Sequence, residues 1–150
     1  MPTPSLVHNM KITRVENATA AGTTDITTDI IDMQGFNDVT FIACLGDVLV
    51  TCALELVVQQ DSAANMASAA DVLGSTTSFT AGASDADNLV MAVGTYKPVE
   101  RYVRAKLVRA TANAVLDSII CIQGGAQTLP VTHDATTVLG TAHAASPAEG

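Results

Sequence analysis

The chain reads as short runs of alternating apolar and polar residues broken by Gly, Asp, Asn, Ser and Thr, and no stretch holds the period of a long amphipathic helix. That pattern predicts about eight strands, at the spacing of a sandwich or barrel. They fall at 11–16, 28–33, 38–45, 51–60, 76–80, 88–94, 101–110 and 114–123. Residues 17–24 form an Ala-, Thr- and Gly-rich loop, and 34–37 form a turn. In 61–74 the helix-favouring Ala63, Ala64, Ala67, Ala69 and Ala70 compete with turn-favouring Asp, Asn, Ser and Gly, which reads as a loop or one short helical turn. Connections this short leave no room for helical crossovers, so the sheets are expected to be antiparallel.

The two-residue period assigns faces. In 38–45, Val39, Phe41, Ala43 and Leu45 share one face while Thr40, Ile42 and Cys44 share the other. Both are fairly apolar, so this strand should be central or covered by a neighbouring subunit. In 51–60, Cys52, Leu54, Leu56 and Val58 oppose Ala53, Glu55, Val57 and Gln59, whose Glu and Gln mark the wetter side. In 101–109, Val103, Ala105 and Leu107 share a face with Arg101 and Arg109, while Tyr102, Arg104, Lys106 and Val108 share the opposite one. That second face is a basic, partly apolar ladder. It reads either as a solvated surface balanced by acidic neighbours or as a patch that docks on an acidic partner.

Composition sharpens this picture. Hydrophobic residues make up 48% of the 150 residues but aromatics only 3%, with no Trp, so the core rests on Val, Ile, Leu, Ala and Met. A core without large aromatic anchors is thin, and such a domain gains stability from assembly. The formal net charge of −8 argues against a nucleic-acid partner, which requires clustered Lys and Arg. The basic residues are unevenly placed: Lys11 and Arg14 near the start, then none until Lys97, Arg101, Arg104, Lys106 and Arg109. Cys44, Cys52 and Cys121 lack metal-site or disulfide spacing and read as free thiols inside the fold. No apolar run is long enough to span a bilayer and the start lacks the layout of a signal peptide, so neither membrane insertion nor export is expected.

Candidate chemistry is sparse. His8, His133 and His143 have no paired spacing for zinc. No GxSxG elbow accompanies a Ser, His and Asp set. Asp25, Asp29 and Asp32 form the densest carboxylate run, yet they lack the calcium-loop spacing and read as a solvated strand edge. Gly124-Gly125 opens no helix that could cradle phosphate. No catalytic residue, metal or cofactor is expected. After that Gly pair the sequence turns to Thr, Ala, Pro and His with little to bury, an arm of the kind that lies across a neighbour.

The runs 32–41 (Asp-Met-Gln-Gly-Phe-Asn-Asp-Val-Thr-Phe), 56–62 (Leu-Val-Val-Gln-Gln-Asp-Ser), 71–74 (Asp-Val-Leu-Gly) and 101–104 (Arg-Tyr-Val-Arg) after Val93-Gly94 resemble, in order, the head decoration or cement proteins of tailed bacteriophages. The resemblance covers about residues 28–123 and departs around Met66, where an aromatic is expected, leaving the packing of that loop open. It implies an all-β, antiparallel, jelly-roll-like β-sandwich, assembled as a homo-oligomer (dimer or trimer) on the capsid surface. The major capsid protein is the implied partner, and the chain would be made in the bacterial host cytoplasm. The division expected is an N-terminal arm 1–10, a sandwich domain 11–123 and a C-terminal arm 124–150. The residues expected to bind the partner are Arg101, Tyr102, Arg104, Lys106 and Arg109, with Lys11 and Arg14. A tail or neck component and a carbohydrate-binding or adhesive module are the alternatives.

Overall fold

Apolar residues repeating every second position make strands with one greasy face, and two such sheets bury those faces against each other. The computed structural model describes residues 5–145. A single helical turn, α1 (Leu6–Asn9), leads into β1 (Lys11–Glu16), β2 (Thr19–Gly22), β3 (Ile26–Thr27), β4 (Ile31–Asp32), β5 (Asp38–Val48), β6 (Ala53–Asp61), β7 (Ala70–Thr80), β8 (Val90–Tyr96), β9 (Tyr102–Ala110) and β10 (Ala114–Gly124). The first sheet runs β1-β10-β5-β8, with β2 also paired to β10; the second runs β3-β9-β6-β7, with β4 also paired to β9. Every pairing is antiparallel. If β1 with β2 and β3 with β4 are each taken as one broken edge strand, the eight strands order as 1-8-3-6 and 2-7-4-5. That is the paired Greek-key connectivity of a jelly roll.

The core lies between the sheets and follows the expected parity. Val39, Phe41, Ala43 and Leu45 of β5 meet Leu54, Leu56 and Val58 of β6, Val103, Ala105 and Leu107 of β9, and Leu116, Ile119 and Cys121 of β10. Phe41 is the one aromatic among the fully buried side chains, which leaves the interior to medium-sized aliphatics.

Three segments depart from the pattern. In 17–24, expected as a loop, Thr19–Gly22 pair with β10 as β2. The strand expected at 28–33 is reduced to Ile31–Asp32, with Ile26–Thr27 forming a separate strand ahead of it, because Thr28 is a buried junction. Its Oγ1 accepts from the Ala105 amide (3.0 Å), and its own N–H donates to the Ala105 carbonyl (3.0 Å). The next amide, Asp29, crosses to the Val15 carbonyl in the other sheet (2.9 Å). The loop expected at 61–74 is shorter, since β7 already starts at Ala70. Asp61 closes the turn, its carboxylate accepting from the amides of Ala63 (3.0 Å) and Ser68 (2.8 Å), while Met66 tucks inside at 3% exposure. The register then jumps, with Val57 opposite Thr76 and Gln59 opposite Asp71. Residues 72–75 therefore bulge out opposite Val58; Gly74 takes φ +85° there, and Leu73 stands fully exposed.

Beyond Gly124 no further strand forms up to residue 145. This segment is tied back near its start: the Gln127 amide donates to the Gly35 carbonyl (2.9 Å) and the Val131 amide to the His8 carbonyl (2.9 Å). His133 Nδ1 accepts from the Ile12 amide (3.1 Å), and its Nε2 lies 2.8 Å from the Val7 carbonyl. A carbonyl only accepts, so Nε2 carries the proton. The ends of the two expected arms, residues 1–4 and 146–150, lie outside the described residues.

Candidate docking surfaces

Strand β9 sits in the middle of the second sheet and alternates without a break. Val103, Ala105, Leu107 and Arg109 point inward, while Tyr102, Arg104, Lys106 and Val108 point outward. On the outward face, Arg104 Nε donates to Gln59 Oε1 (2.9 Å), and Gln59 Nε2 donates to Asp71 Oδ1 (2.9 Å), a polar relay across β9, β6 and β7. Lys106 pairs in register with Thr27 and Val57 and makes no ion pair among the described residues. Just before β9, Arg101 forks onto Asp32, with Nε to Oδ1 at 2.9 Å and Nη2 to Oδ2 at 2.8 Å, and reaches Gln34 Oε1 at 2.6 Å. That guanidinium holds the Asp32 carboxyl below the ordinary carboxylate range. It also lies 5.2 Å from the Tyr102 ring.

The structure separates the seven expected partner-binding residues. Arg101, Tyr102, Arg104 and Lys106 share the outer surface of the second sheet. Lys11 and Arg14 sit on β1, in the other sheet. Arg109 is withdrawn from any surface: it is 2% exposed, with Nε on the Thr24 carbonyl (2.9 Å) and Nη1 on the carbonyls of Ala20 (2.9 Å) and Ala114 (2.7 Å). Its parity with Leu107 drives it inward, where carbonyl oxygens accept hydrogen bonds from its N–H groups. A Cβ at Gly22 would press within 3.3 Å of Nη2, so the missing side chain at that position leaves the guanidinium its room.

The first sheet presents a different exterior. Register places Ile12, Ile122, Thr40 and Gly94 in one row, Arg14, Ile120, Ile42 and Ala92 in the next, then Ser118, Cys44 and Val90. All four isoleucines are half-buried, and Val90 is 62% exposed. Strand β5 is central, as expected, yet its outer face is apolar and carries no further strand or helix among the described residues. Ile12, Ile120 and Ile122 escaped the sequence reading. Their signal was the run Ser118-Ile-Ile-Cys-Ile122, which is apolar at both parities and so cannot hide all its side chains on one face.

Sites for chemistry are poor. Between the edges of β7 and β8 a cleft of about 280 Å³ reaches down to Leu45 and Leu54, walled by Phe79, Leu89 and Met91. The one ionisable side chain lining it, Asp85, is taken up by the Gly82 amide (2.7 Å). Among the described residues no three His, Cys, Asp or Glu side chains converge as metal ligands. Asp25 and Asp29 are exposed, and Asp32 is held by Arg101. The three cysteines are free; burial raises the thiols of Cys52 and Cys121, the latter to about 12, while Cys44 opens onto the apolar outer face. No helix is long and apolar enough to cross a membrane.

No protein-family model and no curated protein matches the chain. Among solved structures it is similar to the PBSX exported protein XepA, with a TM-score of 0.52 and 17% identity over 96% of this chain and 46% of that one. It therefore spans about half of XepA's length. Weaker likenesses are to a family two carbohydrate esterase from Cellvibrio japonicus (TM-score 0.37, 8% identity, 84% of this chain and 33% of that one). The CBM22-1-GH10 modules of Clostridium thermocellum xylanase 10B are similar at a TM-score of 0.40 and 10% identity, over 85% of this chain and 30% of that one. At 17% identity the likeness to XepA shows the fold alone.

Proposed function

We propose that this chain is a virion structural protein that binds and stabilises the shell of a tailed-phage capsid, acting through its surfaces without a catalytic step. The observation that carries the reading is the outward face of β9. In a chain of net charge −8, Arg104 and Lys106 stand side by side on the middle strand of a sheet, beside Arg101 and Tyr102. A small basic surface on an acidic molecule selects an acidic partner and fixes its orientation. The resemblance of 32–41, 56–62, 71–74 and 101–104 to decoration proteins implies the major capsid protein as that partner. The C-terminal segment, held at His133 and again where the His143 ring meets His8 (5.6 Å) but largely exposed from residue 134 on, supplies a second contact to a neighbouring site on the shell. Repeated small contacts of this kind add avidity on a lattice.

Two variants test the reading on purified shells. Arg104→Glu with Lys106→Glu reverses the patch, and removal of residues 135–150 shortens the arm while sparing His133. Each should lower occupancy at least about tenfold, equivalent to about 1.4 kcal/mol. Normal decoration by both variants refutes the patch-and-arm account. Quantitative mass spectrometry of virions sets the location: copies in the hundreds fit a shell protein, and a single ring's worth fits a neck or tail component.

A further inference from the structure

The outer face of the first sheet is complementary to itself. Gly124, Asp38 and Tyr96 form its end row, followed by the rows that begin at Ile12, Arg14 and Ser118. A Cβ at Gly124 would lie 3.7 Å from both Asp38 Oδ2 and Met10 Cε, which places the Asp38 carboxylate on this same face. Within these rows the charged side chains are Asp38 and Arg14, of opposite sign, and at the rim Lys97 lies over the Tyr96 ring (5.2 Å). Size is also divided: Ile12, Ile120 and Ile122 fill the β1–β10 side, while Gly94 and Ala92 leave the β8 side low.

We propose that two copies of this chain pack these faces together about a two-fold axis, with Arg14 of each against Asp38 of the partner subunit. Arg14 and Asp38 lie two strands and two same-face positions apart, roughly 16 Å at standard sheet spacings. The axis that exchanges them lies in the plane of the interface, passes over Ile122 and runs on toward Ala92. It sets Ile122 and Ala92 each against its own counterpart and lays Ile42 of one copy over the low ground at Gly94 of the other. The strands of the two copies then cross at roughly 70°, close to the orthogonal class of sheet packing.

A second copy is the occupant that charge selects. Two molecules of net charge −8 repel wherever acids are spread, and this face offers its one acid, Asp38, against Arg14, with a second base, Lys97, at the rim. Area sets the strength. Four strands by four rows give a footprint of roughly 300 Å², and even with Tyr96 and Val90 at the rim this falls short of the ~800 Å² per partner of a standard stable interface. The dimer is therefore a micromolar, concentration-dependent one. It forms without any shell, so it stands apart from the capsid reading.

Sedimentation velocity across the micromolar range, up to about 1 mM, reads the association directly. The native chain should pass from monomer to dimer. Arg14→Asp and Asp38→Arg should each weaken the dimer at least about tenfold, and the two combined should restore it to within about threefold of the native chain. Ile120→Asp should abolish it. Labelling of Cys44 should slow as the dimer fills, with the melting profile of each variant confirming its fold. A monomer at every concentration, a trimer, single reversals without effect or a double reversal that fails to restore association would each overturn the proposal.

Discussion

On the outward face of the second sheet, most charges are answered from within the chain: Arg101 by Asp32, and Arg104 by Gln59, which passes the contact on to Asp71. The outward face of the first sheet has little charge to answer, and its isoleucines stand half-buried with no further strand or helix over them among the described residues. Both faces arise from the same alternation of residues. They differ because β9 and β6 place polar residues at the outward parity, whereas β5 and β10 place apolar residues at both. The satisfied polar face is stable in water and selective about partners. The apolar face gains free energy only when covered, so it favours association over solvation.

The largest effect should come from taking the one inward arginine out of β9. Arg109→Met leaves the carbonyls of Ala20, Thr24 and Ala114 without donors, at about 1–3 kcal/mol for each buried group left unpaired. A loss of about 3–5 kcal/mol in urea unfolding is expected, against less than about 1 kcal/mol for the outward Arg104→Met. Equal losses would erase the distinction between the inner and outer faces of β9.

Salt should separate the two outer faces by a smaller margin. Shell binding through Arg104 and Lys106 should weaken several-fold between about 0.05 and 0.5 M salt. Dimerisation, which rests mainly on apolar contact, should change less, and parallel titrations of the two equilibria check this.

The smallest effect is acid dependence. Asp32 has its carboxyl pKa depressed by Arg101, so its contribution is present above the unfolded-state value near pH 3.9 and disappears as pH falls below it. Both side chains are nearly half exposed, so the contribution stays below about 1 kcal/mol. Arg101→Gln should lower the urea midpoint slightly at pH 6, and the difference from the native chain should shrink steadily as pH falls below about 4.

Much of the fold could be read from residue parity. The bounds of β1 match the expectation at both ends, and the inner faces of β5, β6 and β9 are the residues that alternation selects. The split at Thr28 was hidden because a buried hydroxyl replacing a ladder bond leaves no trace in hydropathy. The start of β7 was masked by five alanines whose helix propensity is overridden by pairing of Ala70 and Asp71 with Gln60 and Gln59. The basic set was legible along the strand but not across sheets: Lys11 and Arg14 belong to the other sheet, and the inward parity of Arg109 outweighs its charge. Val57 and Gln59 show the same limit, since they face outward yet are buried beneath neighbours in β7 and β9.

Co-sedimentation of the purified chain with undecorated capsid shells tests the central claim most directly. The native chain should pellet with the shells to a saturating stoichiometry, while the form reversed at Arg104 and Lys106 stays largely in solution. A native chain left in the supernatant at every concentration, or a reversed form that saturates the shells equally well, would contradict the account.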